Sequence, residues 1–316
     1  MSEPFVRPDV RKFLDGMAAN PRPVFNDAMM VMIRQMPSDA MAGLDLPVGE
    51  LGEIRDVTMA GPGGDIALRL YDPRADRAPG PVVVFYHGGG FVVGSIDTHA
   101  GLAAEMARQL DLPVISVEYR LAPEHKWPSA PDDGEAAARW IAENGAAFGR
   151  EFTHLVLAGD SAGGNLTLVV ANDLHARPAA LPLLALLAIY PKADSSKRYG
   201  SMVDFADGYG LESANMAYYD QAYAPDGQHV RHSPILADLV GLPPTLVVTA
   251  ALDPLRDEGR AYAAAAALAG VDVTYREYRG TIHGFSSYRR LIPSAQADML
   301  SYLALARAMI AEALAG

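Results

Sequence analysis

Apolar residues along this chain gather into short runs, separated by stretches of helical periodicity or by turns rich in glycine and proline. Runs at 82–86, 114–118, 155–158, 183–190, 245–249 and 271–278 read as buried strands. Helical patterns occupy 98–110, 132–148, 162–175 and 254–269, and a last helix spans about 294–315. Strand and helix in alternation predict an α/β fold, a mostly parallel sheet with helices on both faces. Upstream, residues 57–60 and 66–71 flank Gly61-Pro62-Gly63-Gly64 as a hairpin entering the same sheet, which brings the total to about eight strands. Residues up to Leu46 are helical and amphipathic, with methionine-rich pieces such as Met29, Met30 and Met32. Methionine adapts to irregular space, so this arm suits a pocket lid as well as a helix packed plainly on the body. One connection breaks the rhythm: about fifty residues between Tyr190 and Pro243 lack any strand. Crossovers are normally much shorter, so an insertion on the active face is expected.

Composition narrows the class. Half of the 316 residues are hydrophobic and a fifth are charged, the balance of a globular chain with a sizeable core. Twenty-six Lys and Arg stand against 38 Asp and Glu with no basic cluster, which argues against nucleic acid or an anionic membrane as partner. There is no cysteine, hence no disulfide, thiolate metal site or thiol nucleophile. The N-terminus lacks a basic segment followed by an apolar one, so no secretory signal is expected. The longest apolar stretch, 181–190, falls short of the roughly 20 residues a bilayer span requires. The chain reads as a soluble cytoplasmic protein with no stable membrane association.

The chemistry centres on Gly159-Asp160-Ser161-Ala162-Gly163, where an apolar strand run stops and an apolar helix begins. A serine between two glycines at such a corner is the nucleophile-elbow pattern, the glycines leaving room for strand and helix to close on a strained residue. After the strand at 82–86 comes His87-Gly88-Gly89-Gly90, whose backbone N–H groups can point inward at a developing oxyanion. Gly88, Gly89 and the N–H of Ala162 are the expected donors. Among eight histidines His283 is the candidate base, in a loop between the last strand and the last helix. His99 and His175 fall in predicted helices, His229 and His232 show no metal-ligand pattern, and His87 suits bracing the glycine loop. Asp253 follows a strand directly, at the edge where α/β sheets collect catalytic groups, and is the candidate acid. Asp194 is the runner-up. Asp257 is expected to face outward at a helix start, and Asp160 to point away from the site. Phe91, Tyr190, Met202, Phe205, Tyr209 and Phe285 are candidate pocket walls, although side chains of these types serve equally as plain core.

These segments together resemble the hormone-sensitive-lipase-like family of bacterial esterases, on the α/β-hydrolase fold. The match runs from about Val82 to Phe285. It includes Asp253-Pro254-Leu255-Arg256-Asp257-Glu258-Gly259, His283-Gly284-Phe285 and the run from Tyr119 to Pro128, which carries no obvious chemistry of its own. The order Ser161, Asp253, His283 is the triad order of that fold. The resemblance implies Asp253 as the acid and a helical cap built from the arm (1–46) and an insertion at about 195–225 on a catalytic domain of 47–316. It further implies short- to medium-chain carboxylic esters as substrates, no cofactor or metal, and a homodimer. An amidase or arylformamidase would use the same residues. A non-catalytic ligand-binding relative would not keep an intact Ser161, Asp253 and His283.

Overall fold

The computed structural model describes residues 3–20, 25–35 and 43–316. Eight strands form one sheet in the order β1-β2-β4-β3-β5-β6-β7-β8. They are β1 (Glu53–Gly61), β2 (Gly64–Asp72), β3 (Gly80–Tyr86), β4 (Val114–Val117), β5 (Phe152–Asp160), β6 (Leu183–Ile189), β7 (Thr245–Leu252) and β8 (Val273–Ile282). Only β2 runs against the rest, paired antiparallel with β1 and β4, while every pair from β4 through β8 is parallel. This is the α/β fold that the alternation predicted. The inner strands are buried on both faces, which is why β3, β5 and β6 read as unbroken apolar runs rather than alternating ones.

The helices are α1 (Pro8–Ala19), α2 (Asp27–Gln35), α3 (Ala100–Leu110), α4 (Ser129–Glu143), α5 (Ala162–Ala176), α6 (Ser201–Asp204), α7 (Ser213–Tyr223), α8 (Arg256–Leu268) and α9 (Ser294–Ala315). Two apolar clusters sandwich the sheet. One joins α1, α3 and α9 through Leu14, Leu102, Met106 and Tyr302; the other joins α4, α5 and α8 through Ile141, Leu166, Val170 and Tyr262. Most element ends fall within a few residues of the sequence expectation. The helix expected over 132–148 instead stops at Glu143, because Asn144 folds its side chain back onto the Trp140 carbonyl and Gly145 opens a separate 3-10 turn. The expected arm over 1–46 is only partly described: α1 and α2 are helical, and 1–2, 21–24 and 36–42 lie outside the described residues.

The topology fixes where chemistry can gather. β3, β5, β7 and β8 are parallel, so the loops that leave them all open on the same edge of the sheet. Those loops carry His87 to Gly90, Ser161, Asp253 and His283 respectively.

Candidate active site

Ser161 sits between the end of β5 and the start of α5 with φ 55° and ψ −114°, outside the conformations a serine ordinarily takes. Its N–H donates to the Ile189 carbonyl at 2.9 Å, which fixes the strained turn. A Cβ on Gly163 would overlap the Tyr86 carbonyl, and one on Gly159 would overlap the Gly163 backbone. The two glycines are therefore obligatory contacts between helix and strand.

His283 Nε2 lies 2.8 Å from Ser161 Oγ, and His283 Nδ1 lies 2.7 Å from Asp253 Oδ2. Asp253 is fully buried, and its other oxygen accepts the Leu255 N–H at 2.8 Å. Burial pulls the imidazole towards neutrality, but the charge and hydrogen bond of Asp253 outweigh it, so the His283 pKa is raised above its ordinary value. Nδ1–H donating to the carboxylate leaves Nε2 as the acceptor that faces the serine. Asp194 is engaged elsewhere: it accepts from the N–H and hydroxyl of Ser196 and from Tyr199, and does not reach His283. Asp257 departs from the outward-facing expectation, since it accepts the Ser201 N–H at 2.9 Å and so binds α6 to the start of α8.

The glycine loop requires a correction. The Gly88 N–H donates to Asp160 Oδ1 at 2.8 Å and is unavailable to a substrate. Gly89 and Gly90, with φ 122° and 62°, turn instead along the cavity beside Ser161, and their N–H groups have no hydrogen-bond partner among the described residues. The available donors are therefore Gly89, Gly90 and Ala162, one step along from the expected pair. Asp160 explains the shift. It is buried beside the loop, not turned away from it, and holds the first glycine in place.

A cavity of about 520 Å³ opens over Ser161 and His283. Its walls include Phe13, Leu14 and Met17 of α1, Met29 and Ile33 of α2, and Leu211 and Tyr219 from the segment after β6. A second space of about 50 Å³ adjoins it behind Ala162. Of the six expected wall residues, only Phe91 borders either space. Tyr190, Phe205 and Phe285 are buried core residues and Tyr209 packs against them, while Met202 lies half-buried away from both cavities. Tyr190 still matters indirectly, its ring backing the His283 imidazole at 4.9 Å between centroids.

Residues 83–287 match the family described by the alpha/beta hydrolase fold. Esterase LipI of Mycobacterium tuberculosis is 37% identical to the chain over 261 residues, covering 79% of this chain and 80% of that protein. The chain belongs to the hormone-sensitive-lipase-like family of α/β-hydrolases. Another relative of this α/β-hydrolase is the ethyl acetate hydrolase of Pseudomonas putida, 38% identical over 245 residues, with 75% of this chain and 77% of the relative covered. Among solved structures, an ester hydrolase from the metagenome of Lake Arreo superposes with a TM-score of 0.89 at 38% identity, over 97% of this chain and 99% of the other. The hyperthermophilic esterase of Pyrobaculum calidifontis gives 0.87 at 35% identity, over 96% and 98%.

Two more histidines stand at this edge of the sheet, one placed otherwise than the sequence pattern suggested and one as expected. His99 stands at the start of α3 rather than inside it, lines the large cavity, and places Nε2 3.5 Å from Asp160 Oδ1. Burial opposes its charge, but Asp160 outweighs that and raises its pKa. His87 is stacked on Tyr119 at 4.3 Å, and its Nδ1 lies 2.8 Å from the Gly88 carbonyl. Burial, and then the nearby His99, push its pKa down to about 3, so it is a neutral brace for the loop, the role expected of it. Tyr119 donates to the His87 carbonyl at 2.6 Å, so this first residue of the run from Tyr119 to Pro128 holds the loop from behind. Among the described residues no cluster of three or more His, Asp or Glu is arranged to hold a metal ion.

Proposed function

We propose that the protein is a serine carboxylesterase that hydrolyses short- to medium-chain carboxylic esters through Ser161, His283 and Asp253. The observation that carries this reading is the continuous hydrogen-bonded line from Asp253 through both nitrogens of His283 to Ser161, beside unspent backbone donors. His283 takes the Ser161 proton as Oγ attacks the ester carbonyl, and the oxyanion is stabilised by the N–H groups of Gly89, Gly90 and Ala162. The C–O bond to the alcohol then breaks, and His283 hands its proton to the departing oxygen. Water, deprotonated by the same imidazole, attacks the acyl-enzyme, releasing the carboxylic acid and restoring the serine. Both relatives quoted above are named for ester hydrolysis, which favours ester over amide as the bond cleaved.

The helical elements α1 and α2, with the insertion that contains α6 and α7, form the cap in this reading, since both segments supply cavity walls and neither adds a strand to the sheet. Among the described residues no helix is long and apolar enough to cross a membrane. A cytoplasmic location and a homodimer are part of the same proposal, the first supported by the lack of cysteine and the second only by family resemblance. The decisive experiment is hydrolysis of p-nitrophenyl butyrate by the intact protein and by Ser161→Ala and His283→Ala. Each variant is expected to lose roughly 10⁵- to 10⁶-fold in kcat, and retention of most activity by either would overturn the assignment. A matched ester and amide compared by kcat/KM separates an esterase from an amidase.

A further inference from the structure

We propose that the site sorts the two halves of an ester by size, with the acyl group in the small space behind Ala162 and the alcohol in the large cavity under α1 and α2. Within the ester class proposed above, the preferred substrates are then those that join the shorter acids to bulky apolar alcohols. This rests on the esterase reading above and adds a direction to it.

The two spaces meet at Ser161, Gly90, Leu211 and Tyr219, and differ about tenfold in volume, about 520 Å³ against about 50 Å³. They differ also in which catalytic groups they touch. His283 borders the large cavity and not the small one, whereas Ala162 borders the small one and not the large one. At the tetrahedral carbon the four substituents are Ser161 Oγ, the oxyanion, the leaving oxygen and the acyl carbon. The leaving oxygen must lie within reach of His283 Nε2 to take the proton, so the alcohol extends into the space that His283 borders. The acyl carbon takes the direction that remains, past Ala162. Deacylation demands the same partition, because water has to reach His283 Nε2 while the acyl group is still attached. An acyl chain lying in the large cavity would block that approach.

Phe91 and Tyr223 form a stacked pair with ring centroids 4.1 Å apart along one wall of the small space, both buried, while Leu255, Met216 and the Lys192–Asp220 ion pair line the rest of it. On the side of α1 and α2 the large cavity is lined by Phe13, Leu14, Met17, Phe25, Met29 and Ile33, an apolar wall suited to an aryl or branched alcohol.

Two isomers test the assignment: 2-phenylethyl acetate and ethyl phenylacetate carry the same atoms with the bulky group on opposite sides of the ester. The acetate is expected to have a kcat/KM about 10-fold or more above its isomer, the discrimination a pocket short of room for added carbon provides. Equal values, or a preference for ethyl phenylacetate, overturn the proposal. Hydrolysis of neither isomer, or of any p-nitrophenyl ester, overturns the esterase reading and this one with it. Two variants locate the effect. Met216→Ala, on the small side, is expected to raise the ratio of p-nitrophenyl butyrate to p-nitrophenyl acetate by about 10-fold. Met17→Trp, on the large side, is expected to lower the ratio of 2-phenylethyl acetate to ethyl acetate. Ratios unmoved by both, or moved in the opposite sense, place the two halves the other way round.

Discussion

The Asp160 carboxylate is buried, next to Ser161 in the chain, and burial alone would push it towards the neutral form. His99 above all, then His87 and the Gly88 N–H, outweigh that and hold its pKa below the ordinary carboxylate value. Asp160→Asn keeps an oxygen for Gly88 but gives up the charge that holds His99, so kcat/KM is expected to fall by about 10-fold. That is far less than the loss on the order of 10⁴-fold expected for Asp253→Asn, where the tautomer of His283 itself is lost. If Asp194→Asn brings the larger loss, the acid has been misassigned. The direction of the His283 shift sets the pH profile. The base works only when neutral, so kcat/KM should rise with pH through an inflection above the ordinary histidine value, and Asp253→Asn should move that inflection down. At this scale the sequence was legible in the three residues that the structure joins by hydrogen bonds, because each stands at a locally recognisable place: a serine at an elbow, a histidine before the last helix, an aspartate after a strand. It was illegible at Gly88, Gly89 and Gly90. Which N–H faces the substrate depends on the sign of φ and on a carboxylate from another strand, and neither is written in three identical letters. The walls were missed for a related reason, since Tyr190 and Phe285 have the composition of a pocket and the burial of a core.

At the scale of elements, the corner between β5 and α5 has no spare volume. Gly163→Ala would force its methyl into the Tyr86 carbonyl, so the helix must move off the strand and carry Ser161 with it. Loss of folded protein, or activity reduced by about 100-fold with the fold retained in circular dichroism, is the expected outcome. The start of α8 is a second junction. Glu258 is buried in its first turn, with one oxygen accepting the N–H groups of Ala193 and Asp194 at 2.8 Å each and the other without a hydrogen-bond partner among the described residues. Burial is the largest influence on this group and raises its pKa to about 7, against the partial opposition of Lys192 and those N–H groups. A carboxyl with a raised folded-state pKa binds its proton more tightly in the folded chain, so folding weakens as pH climbs from the ordinary glutamate range to about 7. Thermal unfolding of Glu258→Gln should lack that decline, and identical Tm profiles for both proteins from pH 5 to 8 would contradict it. Strand and helix positions were readable because apolar runs and helical periodicity are local. The break at Asn144 was less so, since a side chain closing on its own helix competes with a periodicity that continues past it.

At the scale of the molecule, the sheet order was not readable, because pairing of β4 between β2 and β3 joins segments far apart in the chain. Nor was the origin of the cavity. α1 is held to the body by Arg7, which pairs with Asp298, and by Asp9, which accepts the Ser294 N–H at 2.8 Å. Removal of residues 1–20 takes away one wall while leaving Ser161, Asp253 and His283 untouched. Michaelis kinetics on 2-phenylethyl acetate should then show KM raised by about 10-fold with kcat little changed, the signature of lost uniform binding.

The two segments that roof the large cavity touch each other directly. Tyr218 of α7 donates to Asp27 of α2 at 3.0 Å, and the Phe25 N–H donates to Asn215 at 3.4 Å. Though they lie nearly two hundred positions apart, these contacts couple them, so that a change of bulk on one is expected to disturb the other. A chimera that takes both segments from a relative should acquire that relative's range of alcohols, and a chimera that takes only one should fold around a roof whose halves no longer fit.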